Sequence, residues 1–277
     1  MVKPVYPQAD STDINPYKLA LVLSSGASVL AGSYIYVQNS WWSDQSTSFH
    51  FDDGTDLRYA KNIDKGGHFF GGVLVADLFH SNLKWAGITE KNAFWYGAAM
   101  GSFIQLGIEM KDAYAPFWGF SIWDFGAGSI GALVPIAERY WKPMEFIDFK
   151  ISYYKRSNHY WDLGTEQKPW APPHEHAYHD DYVNQTYWTT IYPFRHKNIH
   201  IGLSVGIGLD DSQYLLNNTK VGGKNELYIA LDYDLKQVLK KWNTPAAKRI
   251  KHWLNYIKIP APTIRVSPSV EFYPIFM

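Results

Sequence analysis

The sequence contains no cysteine among its 277 residues. That absence excludes disulfides, thiolate metal sites and a cysteine nucleophile, and it leaves no residue of the kind that carries the lipid of a lipoprotein. The absence of cysteine does not indicate whether the protein resides in an oxidising or a reducing compartment. The opening segment MVKPVYPQADSTDINPYK has no basic stretch followed by an apolar one, so it does not predict a signal peptide. Its polar, proline-containing character is typical of the start of a mature exported protein.

Charged residues are also scarce, at 19% of the chain where soluble domains have about a quarter. The 26 basic and 26 acidic residues give a formal net charge of zero, which argues against a nucleic-acid partner. Aromatic residues are abundant, with 12 tryptophans and 20 tyrosines. Their apolar bodies and polar tips suit a membrane–water boundary. A soluble β protein rich in tryptophan and tyrosine is the alternative.

Four apolar segments rich in small residues predict helices in the first half of the chain, at 17–38, 67–83, 92–110 and 124–141. Only the first approaches the roughly 20 apolar residues that a membrane span needs. The others are shorter, and Asp77, Gln105 or Glu109 interrupts them. Buried bundle helices and true membrane spans are therefore both open.

From Lys142 onward the apolar pattern has a period of two, which predicts antiparallel strands. Strands are expected in 146–154, 186–194, 200–209, 226–235 and 263–276, with the odd residues of 201–209 facing a core or lipid together. About five strands are too few for a bacterial transmembrane barrel, so a sheet packed on the helices or on a partner is favoured. The predicted fold is α+β: an N-terminal helical bundle (17–141) followed by an antiparallel β region (142–277) with one inserted amphipathic helix.

That helix comes from QVLKKWNTPAAKRIKHWLNYIK, residues 237–258. Pro245 favours a helix start, so the continuous part is expected at 245–257. Apolar residues recur every three or four positions, while the stretch has six basic residues and no acidic one. This pattern predicts a helix lying in a membrane interface, with Trp242, Lys248, Arg249 and Trp253 at the boundary. Packing of the helix on the protein's own sheet is the alternative.

Ionisable residues stand at the edges of three predicted helices. The start of the second helix, the end of the third and the start of the fourth can meet at one end of an up-and-down bundle. Buried carboxylates must bind a metal, pair with a cation or hold protons, so their crowding also suits acid–base chemistry. The candidate catalytic residues are Asp64, His68, Glu109, Asp112 and Asp124, and the candidate binding residues are Lys65, Lys111 and Ser121.

A structural network, a ligand or lipid-headgroup site and a catalytic site all remain open for this cluster. Ser121 is interpreted as a helix cap in preference to a nucleophile. The leading hypothesis is a membrane-associated cell-envelope protein that binds a membrane lipid or an envelope protein partner through the cluster. The alternative is a membrane-associated hydrolase or transferase that uses the cluster, with or without a metal. The sequence predicts no cofactor.

A second group of candidate metal ligands lies in PPHEHAYHDDY, which contains His174, His176, His179 and Asp180. Such a density of histidines can bind a divalent ion. The flanking prolines indicate a loop without fixed ligand geometry, so a solvated loop is the favoured interpretation.

The segments DKGGH (64–68), IEMKD (108–112) and GFSIWDFGAGSIGA (119–132) together resemble the YfiM-like family of predicted periplasmic proteins, in particular its longer Bacteroidetes-type members. That family is related in motif to the VanZ-like membrane proteins, which have a similar Asp-Lys-x-x-His, Glu and Ser-x-x-Asp series. SFHFDD, DYVNQTYWTT and IKIPAPTIRV extend the resemblance over most of 47–277. The family pattern has an asparagine where this chain has Gly128. The resemblance implies a Gram-negative envelope location, at the outer membrane or periplasmic face, and carries no established activity.

Overall fold

The computed structural model describes residues 13–40, 42, 46–54, 56–57, 59–116, 118–162, 178–197, 199–212 and 223–276. Helices come first and a six-stranded antiparallel sheet follows, which confirms the predicted α+β class. The helices before the sheet are α1 (Pro16–Ser40), α2 (Ile63–Trp85), α3 (Glu90–Asp112), α4 (Ile122–Ala132) and α5 (Val134–Tyr140). The predicted segment 124–141 thus forms two helices, because Pro135 in the first turn of α5 cannot donate a backbone hydrogen bond to a continuous helix.

Helix α1 is the most exposed of the long helices. Within it, Pro16–Gln38 is long and apolar enough to cross a membrane, and only 6% of its most hydrophobic stretch is buried by the rest of the protein. Val22 anchors α1 against Phe79 and Leu83 of α2. Most of the remaining apolar surface of α1 faces outward.

The sheet is a simple meander in which each strand pairs with the next. Its strands are β1 (Ile147–Tyr153), β2 (Gln185–Ile191), β3 (Ile201–Leu209), β4 (Asn225–Tyr233), β5 (Ala261–Ser267) and β6 (Glu271–Phe276). Short helices α6 (His159–Asp162), α7 (Leu235–Val238) and α8 (Pro245–Leu254) lie between strands. The segment 263–276, predicted as one apolar face, is a hairpin of β5 and β6. Consequently Phe276 is buried while Ile264 and Phe272 are exposed.

The polarity of the sheet's two faces is opposite to that in a typical soluble protein, because the apolar face is exposed and the polar face is buried. In β3, Ile201, Leu203, Val205 and Ile207 are all more than 40% exposed, while the glycines and Ser204 between them are buried. The odd residues up to 207 therefore share a face, as predicted. Of the two surroundings expected for that face, core or lipid, the protein's own core leaves these four residues exposed, whereas Leu209, at the strand end, is buried. The interior holds the polar and small side chains, an arrangement typical of sheets that face lipid.

The sheet curls around this polar interior. The chain at 256–258 pairs with the free edge of β1, where Ile151 N donates to Tyr256 O at 2.9 Å and Lys258 N donates to Ile151 O at 2.9 Å. The ring of Tyr154 also lies 5.2 Å from that of Phe276 on β6. The two ends of the β region are thereby brought together.

Ion pairs fill the interior. Lys150 and Asp232 are fully buried, with Lys150 Nζ 3.0 Å from Asp232 Oδ2. Thr190 Oγ1 donates to the same carboxylate at 3.0 Å, and Lys258 Nζ donates to Leu231 O at 2.7 Å. Buried charges that are paired and hydrogen-bonded in this way are tolerated, whereas isolated ones are strongly destabilising.

Helix α2 covers part of the apolar outer face. The ring of Phe69 lies 5.0 Å from that of Phe149 on β1, and Phe70 packs on Tyr187 of β2. A Cβ at Gly66 would lie 2.9 Å from the Tyr187 ring, so glycine allows α2 to approach β2 closely. The outer faces of β3 to β5 extend beyond this contact and retain their exposed aliphatic residues.

Asp77 of α2 connects the helices to α8. Its carboxylate accepts hydrogen bonds from the His252 ring and, at 2.9 Å, from Tyr256 Oη. Burial alone would raise the pKa of Asp77, but hydrogen bonds from His252 and His80 and the charge of His252 outweigh it and hold the pKa well below its usual range.

We expect Asp77→Asn to lower the free energy of unfolding by about 2 kcal/mol at pH 7, because the charged hydrogen-bond acceptor is lost. A depressed carboxyl pKa stabilises the fold above the unfolded-state value near 4 and loses that effect as the pH falls below it. The difference in free energy of unfolding between the wild type and the variant, measured by urea unfolding, should therefore become smaller between pH 4 and pH 2. Glu90→Gln, which alters an exposed pair, is the control. A deficit independent of pH would contradict the assignment.

Candidate functional site

The structure brings the predicted ionisable residues together at one end of the helices. Asp64 and His68 lie in the first two turns of α2, Glu109 and Asp112 in the last turn of α3, and Asp124 in the first turn of α4. His68 Nδ1 is 3.9 Å from Glu109 Oε1, and His68 Nε2 is 3.9 Å from Asp124 Oδ2. Three separate helices thus contribute to one cluster, which we call the acidic cluster: Asp56, Asp64, Lys65, His68, Glu109, Asp112 and Asp124.

Glycines permit this convergence by bringing α2 and α4 into near backbone contact. A Cβ at Gly131 would lie 1.9 Å from Phe69 O, and one at Gly72 would lie 2.0 Å from Gly128 O. Any larger residue at these positions would force the helices apart. The glycine-rich character of both segments is therefore required by the geometry of the site.

Lys65 is the central cation of the cluster. Its Nζ lies 2.7 Å from Asp56 Oδ2, 3.2 Å from Asp64 Oδ2 and 3.1 Å from Asp124 Oδ1. Burial alone would lower the pKa of Lys65, but the three surrounding carboxylates outweigh it and raise the pKa above its usual range. Lys65 therefore stays charged at neutral pH.

Asp56 belongs to the cluster although sequence reasoning missed it. It lies in the loop before α2, where Asp52 Oδ1 accepts from Gly54 N at 2.9 Å and from Asp56 N at 3.1 Å. The bridge between Phe51 and Phe120 holds this loop against the start of α4. A residue in a loop does not belong to a helical or strand repeat, so its position cannot be predicted from periodicity. The neighbouring acidic residues Asp52 and Asp53 are the one sequence feature that points to it.

Ser121 is the N-cap of α4, as predicted. Its Oγ accepts from Asp124 N at 3.1 Å and donates its proton to Asp56 Oδ2 at 2.6 Å. The Ser121 backbone N–H donates to Glu109 Oε2 at 2.9 Å. With its hydroxyl engaged in both directions, Ser121 positions the carboxylates and is not prepared as a nucleophile.

Gln105 fixes the orientation of His68 and was read from the sequence only as an interruption of an apolar segment. Its Oε1 lies 2.8 Å from His68 Nδ1. The Gln105 side chain occupies the space beside Gly128, where a Cβ would lie 2.3 Å from Gln105 Cγ. The amide of Gln105 thus fills the space that the absence of a side chain at Gly128 leaves between α3 and α4.

Asp112 and Lys111 lie at the edge of the cluster. Trp42 Nε1 donates to Asp112 Oδ1. Lys111 Nζ lies 5.7 Å from the centre of the Tyr34 ring and 5.6 Å from that of Trp42, in cation–π geometry. Lys111 is therefore near the carboxylates without an ion pair to them among the described contacts.

Most of the carboxyl groups are shifted toward their protonated forms. Burial, and then the charges of Asp112 and Asp124, raise the pKa of Glu109 to about 10. Burial also raises the pKa of Asp64 well above its usual range, that of Asp112 to about 7 and that of Asp124 to about 6. The single positive charge of Lys65 is thus insufficient to keep all of these buried carboxyl groups ionised.

A cavity of about 410 Å³ opens beside the cluster, between the helices and the sheet. Asp64 and His68 lie at its polar side. Its remaining walls are mainly apolar and aromatic, with Phe70, Ile108, Ile151, Tyr153, Tyr178, Tyr182 and Tyr187 among them. A volume of this size falls in the range of small-ligand sites, about 300 to 1,000 Å³.

Comparison with known proteins gives one family. Residues 50–137, about a third of the chain, match the model of a family described as predicted periplasmic lipoprotein (DUF2279). The matched segment spans the acidic cluster from Asp56 to Asp124 and stops before the sheet. Neither a curated protein nor a solved structure matches the chain.

The family description agrees with the predicted location at the periplasmic face of a Gram-negative envelope. It fits an envelope-associated protein whose activity is not established. The printed residues contain no cysteine, so none of them corresponds to the acylated residue of a lipoprotein.

The predicted metal ligands of the histidine-rich segment lie only partly within the described residues. His179 lines the same cavity, with its ring 5.2 Å from that of Tyr36, and Asp180 Oδ2 accepts from Tyr160 Oη at 3.1 Å. His174 and His176 lie outside the described residues, so a metal site in this segment remains only a prediction.

Helix α8 has the exposed apolar face that an interfacial helix needs. It ends at Leu254, three residues before the predicted end, and Thr244 caps its start by accepting from Ala247 N at 3.2 Å. Trp242, Lys248, Arg249 and Ile250 are exposed, and Trp253 is half-buried against Tyr256. Contact of this helix with a membrane stays a prediction.

Proposed function

We propose that this envelope protein binds a membrane lipid, with the polar headgroup at Asp64 and His68 and the apolar part along the aromatic walls of the cavity. The observation that carries the proposal is the joining of a charged cluster to an apolar cavity of about 410 Å³. A ligand that fills both parts must itself be amphiphilic, and the surrounding membrane supplies such molecules.

The exposed outer face of the sheet supports the same proposal. β3 and β4 present aliphatic side chains outward, while the inward residues of β3 are glycines and Ser204 and the inward Asp232 of β4 is ion-paired with Lys150. This polarity favours lipid over water as the surrounding medium. An envelope protein partner is a weaker candidate, because protein interfaces combine apolar contact with a polar rim and these outward residues are aliphatic along the strands. Outer-membrane residence and a relationship to the YfiM-like and VanZ-like proteins are further proposals, supported by the motifs at 64–68, 108–112 and 119–132.

Filling the cavity should abolish lipid retention. Ile108 lines the cavity but lies outside the acidic cluster, so Ile108→Trp should occupy ligand volume without removing a charge. We expect the wild-type protein, purified from native membranes in mild detergent, to retain about one lipid per chain by mass spectrometry of extracts. The variant should retain at least several-fold less.

Met110→Trp is the matched control, because Met110 lies on the exposed face of the same helix. It should retain lipid at the wild-type level. Equal retention by Ile108→Trp at unchanged melting temperature would contradict lipid binding in this cavity.

Hydrolysis or group transfer on such a lipid is the second candidate function. It is favoured by one observation: His68 is held by Gln105 through Nδ1, so Nε2 is the ring nitrogen directed at Asp124. An imidazole oriented in this way can act as a general base. Lipid turnover by the purified protein that His68→Gln abolishes would favour this function over binding alone.

A further inference from the structure

We infer that His68, Glu109 and Asp124 bind one divalent transition-metal ion, with Zn²⁺ or Mn²⁺ as the expected class. One donor atom from each of the three residues lies within 4.8 Å of the others. This inference goes beyond lipid binding, because the ion would lie among the helix ends whether or not the cavity holds a ligand.

The acidic cluster contains two sets of three donors that share Asp124, and Lys65 contacts all three members of only one of them. The set of Asp56, Asp64 and Asp124 surrounds the Lys65 ammonium group at 2.7 to 3.2 Å. In the set of His68, Glu109 and Asp124, Lys65 pairs with Asp124 through Oδ1, whereas His68 and Glu109 have no lysine or arginine paired with them among the described contacts. Lys111, the next nearest cation, is directed to the Tyr34 and Trp42 rings.

Glu109 gives an independent indication of a ligand at this site. Its side chain is 1% exposed, and its Oε1 atom has no hydrogen-bond partner among the described residues. The other oxygen is satisfied by Ser121 N. A buried carboxylate oxygen left without a partner is costly, and Oε1 is the atom directed at His68.

The hydrogen bond to Gln105 also prepares His68 as a ligand. With Nδ1–H donating to Gln105 Oε1 at 2.8 Å, Nε2 carries the lone pair and lies 3.9 Å from Asp124 Oδ2. Two lone pairs at that separation repel unless a cation lies between them. Metal-bound histidines commonly have their second nitrogen held by a hydrogen bond in this way.

The donor chemistry selects the class of ion. One imidazole nitrogen and two carboxylate oxygens suit Zn²⁺ or Mn²⁺, whereas Ca²⁺ requires six to eight oxygen ligands. Metal–ligand bonds of about 2.0 to 2.2 Å require the three donors, which lie within 4.8 Å of one another, to move closer together. Because His68 also lines the cavity, an open coordination position would face a bound ligand.

The test is metal content and titration on the full chain. After dialysis against chelator and re-addition of Zn²⁺ or Mn²⁺, we expect one ion per chain by elemental analysis and calorimetry. Glu109→Gln and Asp124→Asn, which preserve side-chain shape, should each weaken the affinity at least tenfold. Co²⁺ loading should give a visible absorption band that shifts or disappears in His68→Gln.

His179→Ala and Glu138→Gln are the controls, since neither residue belongs to the proposed ligand set, and both should leave the stoichiometry unchanged. Loss of the ion in His179→Ala with retention in Asp124→Asn would overturn the proposal by placing the metal in the histidine-rich segment. So would the absence of a stoichiometric ion from a wild-type protein with a normal melting transition. Folding of each variant is checked by circular dichroism, so that a loss of binding is not a loss of structure.

Discussion

Replacing Gly131 by leucine should destabilise the protein by at least about 3 kcal/mol, because the new Cβ would lie 1.9 Å from the backbone oxygen of Phe69. The contact is between backbones, so no side-chain rotation relieves it. Separation of α2 from α4 would also pull His68 away from Asp124. We expect a lower melting temperature and, in the same variant, loss of metal and lipid retention.

Gly126→Leu is a control on the same helix. A Cβ at Gly126 has no heavy atom within 4 Å, and leucine is a better helix former than glycine. That variant should be unchanged or more stable by up to about 1 kcal/mol. If Gly131→Leu unfolded at the wild-type temperature, α2 and α4 would not be in backbone contact and the cluster would need another explanation.

Replacing Lys65 by methionine should have the second largest effect. The substitution keeps the approximate length of the side chain and removes a charge that lies within 3.2 Å of three carboxylates. Breaking a buried pair costs about 3 to 5 kcal/mol, since the remaining charges are left uncompensated. We expect a loss of that size in chelator, measured by urea unfolding.

Divalent cations should partly restore the stability of Lys65→Met, because the vacated set of Asp56, Asp64 and Asp124 then offers three carboxylates to an ion. Lys84→Met is the control, as the exposed Lys84–Glu90 pair at 3.1 Å should contribute less than about 0.5 kcal/mol. If Lys65→Met were as stable as Lys84→Met, the prediction would be wrong. The three carboxyl groups would then be protonated or solvated when the ammonium group is absent.

Spacing within helices was sufficient to predict much of the acidic cluster. Asp64 and His68, or Glu109 and Asp112, occupy one face at the end of a helix, and short connections bring such ends together. Asp56 could not be found in the same way, since a loop residue is placed by backbone bonds to Asp52. The contact of Gln105 with His68 could not be predicted, because the sequence shows a polar residue within an apolar segment but not which side chain it contacts.

The β region shows the limit of periodicity more clearly. Alternation correctly groups Val205 with Ile207 and Ser204 with Gly206, but it does not say which group faces inward. That choice depends on the partners available to buried polar atoms, such as Lys150 for Asp232. These partners lie on strands distant in the sequence, so a pattern within one strand cannot reveal them.

The meander order of the sheet has a consequence for how the protein is assembled. Each strand pairs with its neighbour in sequence, so every hairpin can form as soon as its second strand is available. The pairing of Ile257 with Ile151 joins β1 to the segment before β5, so it must wait for more than a hundred residues of intervening chain. That pairing also places Lys258 Nζ 3.8 Å from Asp232 Oδ1, so we expect the buried pair of Lys150 and Asp232 to lose its remaining water when the segment docks.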